Sequence, residues 1–256
     1  MPEYPPGTPS WVDLASPDPD ASAAFYGELL GWDATTPDTQ AGGYRRFQQE
    51  GKDVAGLAPQ MQQEQPTAWA TYVSVADADE IAGRVQAAGG SVIVGPMDVM
   101  DIGRLAVFAD PSGAVLGVWQ PKTFAGAEIV NEPNSLCWNE VYTRDSEADK
   151  RFYSEVFGWS AGRPSFPNAP ESYTLWELGD RVVGGMMEMN DEFPPDMPPH
   201  WRVCFAVSDT DGVVAKAREL GATIVMEPMD MPIGRFAALV DPQGASFTVM
   251  QMAQSG

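Results

Sequence analysis

The chain has 256 residues, of which 44% are hydrophobic, and a formal net charge of −21. Its length suits one large domain or two of about 100–150 residues, and its negative charge argues against nucleic-acid and membrane partners because it repels phosphate backbones and anionic lipids. Two cysteines are too few for a disulfide framework and the first residues have no basic or apolar signal region, so we expect a cytoplasmic protein.

The first predicted elements are a strand at residues 11–15 and a helix that begins at Asp18. Asp18 is a typical N-cap residue, Pro19 suits the first helical position, and Gly31 suits the end of the helix. Short strands are predicted around residues 44–49 and 54–60. This order gives a βαβββ module.

The same order follows once more before residue 121. A strand at residues 71–75 is rich in β-branched and aromatic residues, and Asp77 then opens a helix that ends at Gly89. Strands are predicted around residues 91–94, 104–109 and 115–119. The first half of the chain therefore contains two βαβββ modules.

The second half of the chain repeats the first. Early matches have a spacing of 127 residues (138 − 11), and later ones a spacing of 132 (201 − 69) or 131 (241 − 110). The matched residues include Trp11 and Trp138, Tyr26 and Tyr153, Gly31 and Gly158, Trp69 and Trp201, Asp77 and Asp209, and Asp110 and Asp241. A repeat of this length is a duplicated domain rather than a solenoid unit. We predict domains at residues 1–121 and 135–256, joined by a linker at 122–134.

These motifs resemble the signature of the vicinal-oxygen-chelate superfamily of glyoxalases and bleomycin-resistance proteins. The resemblance rests on the Asp-opened helix with its Phe-Tyr pair and closing glycine, and on Asp-Pro-x-Gly before the last strand of each copy. Gly-Trp after each first helix is similar to tandem glyoxalase-like proteins of the mycobacterial CFP32 antigen type, often labelled hydroxylases. The resemblance spans essentially the whole chain.

The resemblance implies an α+β fold of two tandem vicinal-oxygen-chelate domains. Each domain would consist of two βαβββ modules that curl into a half-barrel with a cleft. The two domains would pair within the chain, as a monomer or a homodimer. Because the superfamily includes isomerases, dioxygenases, epimerases and drug-binding proteins, the fold does not fix the function.

The family's cleft holds a divalent metal, and the resemblance places its ligands at three positions in each copy. These positions hold Trp11, Ala70 and Gly117 in the first copy and Trp138, Arg202 and Thr248 in the second. Indole and guanidinium groups have no available lone pair, and threonine is a weak ligand. We therefore predict that the protein has neither a metal nor another cofactor.

Alternation along the strands predicts which side chains face each cleft. They are Trp11, Asp13, Tyr72, Val115, Gly117 and Trp119 in the first copy and Trp138, Glu140, Tyr142, Arg202, Cys204, Ser246, Thr248 and Met250 in the second. Aromatic walls with one acid suit flat rings and cations, although the same aromatics could fill a barrel core. Gly117 is expected to leave room in the first cleft. Alternation also places Cys137 on the opposite face from Cys204, which argues against a disulfide.

Asp13 and Glu140 are the candidate catalytic residues. A carboxylate in an apolar cleft has a raised pKa and can act as a general base; the alternative is a hydrogen-bonded structural carboxylate. Because the two copies differ at cleft positions, at most one cleft is expected to be functional.

Three functions remain open. The first is binding of a small aromatic or hydrophobic metabolite or drug, for sequestration or metabolite tailoring. The second is a glyoxalase-like lyase or isomerase, or a hydroxylase-like enzyme, that uses a cleft carboxylate. The third is a structural or interaction protein whose clefts are collapsed.

Overall fold

The computed structural model describes residues 3–62, 65–165, 170–191 and 193–253. Over these residues each copy forms one eight-stranded mixed sheet and two helices. The predicted α+β fold with two βαβββ modules per copy is confirmed.

The elements of the first copy are β1 (Pro9–Ser16), α1 (Pro19–Leu30), β2 (Asp33–Ala34), β3 (Arg45–Gln49), β4 (Lys52–Pro59), β5 (Ala68–Ser74), α2 (Ala78–Ala87), β6 (Ser91–Val99), β7 (Gly103–Ala109) and β8 (Val115–Pro121). Those of the second copy are β9 (Ser135–Thr143), α3 (Ser146–Phe157), β10 (Ser160–Gly162), β11 (Tyr173–Leu178), β12 (Arg181–Glu188), β13 (His200–Ala206), α4 (Thr210–Glu219), β14 (Thr223–Met231), β15 (Gly234–Val240) and β16 (Ser246–Met252).

The helix ends follow the predicted capping residues. The Asp18 side chain accepts a hydrogen bond from the Ala21 backbone N–H, and Gly31 ends α1 in the left-handed region with a φ of 72°. Asp145 and Gly158 repeat this arrangement around α3. No helix in the described part of the chain is long and apolar enough to cross a membrane.

Within each sheet, the first strands of the two modules lie side by side at the centre. The first sheet has the order β2-β3-β4-β1-β5-β8-β7-β6, and the second has the equivalent order β10-β11-β12-β9-β13-β16-β15-β14. β1 is antiparallel to β5 and parallel to β4, and β5 is parallel to β8. Side chains from both modules therefore converge on one face of each sheet.

The two copies share their hydrophobic cores. One core joins the first module of the first copy, through residues such as Leu14 and Tyr26, to Phe205 and Phe247 of the second copy's last module. The other core joins the remaining two modules, for example through Phe108 and Tyr153. Neither core consists of one copy alone.

A repeated hydrogen-bonded chain crosses this interface. Trp69 Nε1–H donates to the Tyr26 hydroxyl (2.9 Å), and that hydroxyl donates to Asp241 Oδ2 of the other copy (2.9 Å). Trp201, Tyr153 and Asp110 form the reciprocal chain, with distances of 3.0 and 2.7 Å. The tyrosines and Asp-Pro-x-Gly aspartates that carry the family resemblance thus join the copies.

The prediction that Cys137 faces away from Cys204 is wrong. Consecutive partners of β13 on β9 are Cys204 with Trp138 and Phe205 with Leu136, so the register shifts and Cys137 is an extra residue. This β-bulge interrupts the alternation. As a result, the two Sγ atoms lie 3.7 Å apart.

Candidate functional site

The first cleft is a cavity of about 1050 Å³ in the first copy. It brings together the predicted residues Trp11, Asp13, Tyr72 and Trp119. Trp11 and Tyr72 are direct partners on β1 and β5, and Tyr72 is the partner of Gly117 on β8. The neighbouring central strands therefore supply the aromatic floor.

A hydrogen-bonded chain leads from the indole of Trp11 to the carboxylate of Asp13. Trp11 Nε1–H donates to the Tyr44 hydroxyl (2.9 Å), which in turn donates to Asp13 Oδ2 at a longer distance of 3.4 Å. The Tyr72 hydroxyl also hydrogen-bonds to Asp13. Sequence reasoning missed Tyr44 because it lies just before β3, far from Asp13 in the chain.

Two glycines make this arrangement possible. Gly56 is opposite Asp13 on β4, and a Cβ at Gly56 would lie 1.9 Å from the Tyr44 hydroxyl oxygen. A Cβ at Gly117 would lie 2.3 Å from Tyr72 Cδ1. Gly117 is thus not part of the cavity wall, and the Tyr72 ring occupies the room that the sequence predicted there.

Asp13 is the charged group at the cleft floor, and burial raises its pKa to about 7. The hydroxyls of Tyr72 and Tyr44 act in the opposite direction because they stabilise the carboxylate. Arg45 and Arg46 also line the cavity but pair with Asp20 and Asp53. No basic side chain of the described residues forms an ion pair with Asp13.

The upper walls of the first cleft come from segments that alternation did not indicate. Phe124, after β8, packs edge-on against Trp11 with ring centroids 4.9 Å apart, and its carbonyl accepts a hydrogen bond from Trp119 Nε1–H (2.7 Å). Met97 and Met100 lie at the rim with about half of their surface exposed (49% each). The open cavity argues against a collapsed cleft in this copy.

The second cleft contains a similar chain around Glu140. Trp138 Nε1–H donates to the Tyr173 hydroxyl (2.9 Å), which donates to Glu140 Oε2 (2.8 Å). The Tyr142 hydroxyl donates to the other carboxylate oxygen (2.7 Å). Gly185 faces Glu140 on β12 as Gly56 faces Asp13 on β4.

Three stacked side chains occupy the space above Glu140. The guanidinium carbon of Arg202 lies 4.1 Å from the Tyr142 ring centroid, and Arg202 Nη1–H donates to the Tyr142 hydroxyl (3.0 Å). The Tyr142 ring stacks on His200 with centroids 5.0 Å apart and planes 6° apart. Glu140 and Arg202 are cross-strand partners, and the Tyr142 hydroxyl connects them.

The equivalent positions of the first copy hold three alanines. Ala15 pairs with Ala68, as Tyr142 pairs with His200. Ala70 pairs with Asp13 where Arg202 pairs with Glu140. The stack in the second cleft, Tyr142–His200–Arg202, is therefore absent from the first by sequence.

Thr248 and Met250 of the second copy are both buried. The Thr248 hydroxyl donates to the Val203 carbonyl (3.1 Å), and Met250 is 8% exposed. Their predicted contact with a ligand stays a prediction.

In the part of the chain that the structure describes, the side chains around the clefts are not a set of divalent-metal ligands. In the first copy the adjacent positions hold Trp11, Tyr72 and Gly117 around a single carboxylate, Asp13. Across the described residues, no three His, Cys, Asp or Glu side chains are grouped closely enough to hold a metal. Metal sites in proteins need several such nitrogen, oxygen or sulfur ligands. The described cleft residues therefore do not fit the divalent metal that the family resemblance implies.

Two family models match the two halves of the chain. Residues 8–118 match the Glyoxalase/Bleomycin resistance protein/Dioxygenase superfamily, and residues 136–250 match a glyoxalase-like domain.

Curated relatives match nearly the full length. The anthracycline biosynthesis protein DnrV of Streptomyces peucetius is 40% identical, over 99% of this chain and 96% of its own. CFP32 of Mycobacterium tuberculosis, provisionally named a glyoxylase, is 39% identical over 98% of this chain and 97% of its own.

Solved structures share the fold. The 2,3-dioxygenase LapB of Pseudomonas sp. KL28 has a TM-score of 0.66 at 15% identity, over 96% of this chain and 92% of its own. The Mn(II)-bound glyoxalase of Novosphingobium aromaticivorans has a TM-score of 0.66 at 18% identity, over 97% of this chain and 84% of its own.

Proposed function

The chain belongs to the glyoxalase/bleomycin resistance protein/dioxygenase superfamily, and we propose that it binds a small aromatic or hydrophobic metabolite or drug, without a metal, in the first cleft. Binding would sequester the ligand or orient it for tailoring by another protein. The observation that carries this proposal is the open cavity of about 1050 Å³, whose aromatic floor holds the Asp13 carboxylate.

The size and lining of the cavity favour a ligand with fused rings. Ligand pockets commonly measure about 300–1,000 Å³, so the first cleft is at the large end of the range. The rings of Trp11, Tyr72, Trp119 and Phe124 offer surfaces for stacking. The relative DnrV is named for anthracycline biosynthesis, and anthracyclines are fused-ring aromatic compounds.

The test is a binding titration with fused-ring aromatic compounds, in which tryptophan fluorescence and calorimetry measure the affinity. Phe124→Ala removes one wall without touching a strand, and we expect about a fivefold weaker affinity, in line with ~1 kcal/mol for an aromatic contact. Phe193→Ala is the matched control, because Phe193 packs against Tyr142 in the second cleft. Equal affinity of both variants and the wild type would contradict binding in the first cleft.

Elemental analysis of the gently purified protein tests the metal-free part of the proposal. We expect no stoichiometric manganese, iron, nickel or zinc, even after incubation with excess ions. One tightly bound metal per chain would contradict it.

General base catalysis is a second candidate function, supported by the pKa of Asp13 near 7. A base that titrates near the working pH is suited to remove a proton from a bound ligand. Ligands found by titration can be incubated with the protein and analysed by mass spectrometry. Turnover by the wild type that Asp13→Asn abolishes, with ligand binding retained, is the expected result; without turnover, the function is binding alone.

A further inference from the structure

The bulge at the start of β9 places the only two cysteines of the chain in contact. Cys137 lies opposite no residue of β13, and its Sγ atom is 3.7 Å from that of Cys204. Both are free thiols in this structure. A disulfide S–S bond is about 2.0 Å long, so the sulfurs need to approach by roughly 1.7 Å.

We propose that Cys137 and Cys204 form a redox-active dithiol that a peroxide oxidises to an intramolecular disulfide. This site lies outside the first cleft and is independent of the proposed ligand binding. It is a modification site for a small oxidant of the hydroperoxide class.

The two thiols differ in access, which assigns their roles. Cys137 is half-buried and lines a cavity of about 370 Å³ between the amino-terminal segment and strands β9 and β12. Cys204 is 5% exposed. Cys137 is therefore the residue that meets the oxidant, and Cys204 is the resolving residue.

The reaction balances with one peroxide per chain. The Cys137 thiolate attacks one oxygen of hydrogen peroxide, the O–O bond breaks, and Cys137 sulfenic acid and hydroxide form. The Cys204 sulfur then attacks Cys137 Sγ, the S–O bond breaks, and the second hydroxide leaves. With the two thiol protons, the products are one disulfide and two water molecules.

The surroundings of Cys204 set the pH dependence of the second step. Its hydrogen bond with Cys137, together with burial, raises the pKa of the Cys204 thiol. Since the thiolate is the nucleophile, disulfide closure is expected to be faster at pH 9 than at pH 7.

The site belongs to the second copy alone. The equivalent positions of the first copy are Ser10 and Tyr72, which cannot form a disulfide. In the second copy Trp138 follows Cys137 and is the cross-strand partner of Cys204. Closing the bond at the bulge would therefore act on the indole that donates to Tyr173 in the second cleft.

The test uses the full-length protein, hydrogen peroxide and mass spectrometry. After oxidation and unfolding, N-ethylmaleimide should label none of the two cysteines, the mass should fall by two hydrogens, and dithiothreitol should restore two labelled thiols. Two labelled thiols after peroxide treatment, or a disulfide-linked dimer, would overturn the proposal.

Single variants test the assigned roles. In Cys204→Ser, peroxide should leave a sulfenic acid at Cys137 that dimedone traps. In Cys137→Ser, the buried Cys204 should give at least tenfold less adduct. Equal trapping in the two variants would overturn the assignment of Cys137 as the oxidant's target.

Discussion

The two clefts have the same sheet topology and the same Trp–Tyr–carboxylate chain, yet the first is open, whereas in the second a stack of three side chains lies above the carboxylate. Trp11, Tyr44 and Asp13 correspond to Trp138, Tyr173 and Glu140. The difference lies beside this shared chain, where three alanines of the first copy are replaced by the stack of Tyr142, His200 and Arg202. These three side chains distinguish the second cleft, where they pack above Glu140, from the open first cleft.

On the opposite faces of the sheets, both halves keep the same chain of hydrogen bonds. Tyr26 bonds to Asp241 and Tyr153 to Asp110, each at less than 3 Å. Each core contains residues of both copies. A substitution in one copy therefore alters the packing of side chains from the other copy. The cleft faces lack this mutual constraint, and there the first copy has Ala15, Ala68 and Ala70 where the second copy has Tyr142, His200 and Arg202.

Transfer of the stack into the first cleft is the strongest way to test this difference. The triple variant Ala15→Tyr, Ala68→His and Ala70→Arg should fill the cleft and place a guanidinium beside Asp13. We expect at least about 100-fold weaker binding of a fused-ring ligand, which corresponds to roughly 2.7 kcal/mol. Calorimetry measures the affinity, and the melting temperature shows whether the variant is folded.

The reverse exchange is the control for that experiment. Tyr142→Ala, His200→Ala and Arg202→Ala change the second cleft alone. The affinity of the first cleft should stay within about twofold of the wild type, since these side chains do not line its cavity. A large loss of affinity in this variant, or none in the first, would locate the ligand elsewhere.

The shared interface predicts similar effects in both halves. Tyr153→Phe removes the donor to buried Asp110 and the acceptor of the Trp201 indole N–H. Loss of such bonds to a buried charged group should lower the free energy of unfolding by about 3 kcal/mol. Tyr26→Phe should cost a similar amount, as measured by urea denaturation. If one variant were neutral, the two halves of the interface would not be equivalent.

Glycines beside the two acids should be sensitive to a single methyl group. At Gly56 the added Cβ would meet the Tyr44 hydroxyl at 1.9 Å, and at Gly185 it would meet the Tyr173 hydroxyl at 2.1 Å. Gly56→Ala and Gly185→Ala should each destabilise the protein by about 2 kcal/mol through overpacking.

Gly83→Ala is the opposite-sign control for these substitutions. Gly83 lies in α2 with no other group within 4 Å of an added Cβ. Alanine there should stabilise the protein by about 0.5–1 kcal/mol because glycine is a poor helix former. Stabilisation by Gly56→Ala as well would show that Tyr44 does not occupy the space next to Asp13.

The pH dependence of ligand affinity should also distinguish the two clefts, although this effect is the smallest of those predicted. Burial raises the pKa of Asp13 to about 7, so the carboxylate is mostly protonated at pH 6 and mostly ionised at pH 8. A cationic aromatic ligand that needs the ionised form should bind about tenfold more tightly at pH 8. Asp13→Asn should remove this dependence, whereas Glu140→Gln should leave it unchanged.

The raised pKa of Asp13 also affects the stability of the fold. Its contribution to stability falls as the pH rises, whereas the affinity for a cationic ligand increases. Because the folded state holds the Asp13 proton more tightly than the unfolded chain, this group favours folding at low pH. That contribution is lost as the pH rises from 3.8, the ordinary pKa of an aspartate side chain, through about 7. Denaturation of Asp13→Asn should therefore show a smaller loss of stability between pH 5 and pH 8 than the wild type.

The sequence predicted those features that depend on neighbours along the chain. Asp18 and Gly31 mark the ends of α1, and alternation identified Trp11 and Asp13 as cleft residues. Alternation predicted the wrong face for Cys137, because the β-bulge there interrupts the regular pattern of the strand.

The sequence analysis also did not predict contacts between segments that are distant along the chain. Tyr44, just before β3, reaches Asp13 because Gly56 on β4 leaves space for its hydroxyl. Phe124 enters the cleft from the segment that was predicted to be a linker. A glycine or a connecting segment gives no sign of the partner that will fill the space, so these contacts require the folded chain.

The sharing of cores also governs when this protein can fold during its synthesis. The first copy leaves the ribosome with Phe108 and Leu116 on a core face whose other half, including Phe152 and Trp176, has not yet been made. At a translation rate of about 5–20 residues per second, the second copy follows over roughly 6–25 seconds. Throughout that interval the nascent first half presents a large apolar surface, so nascent-chain chaperones have a defined target and a defined time in which to act.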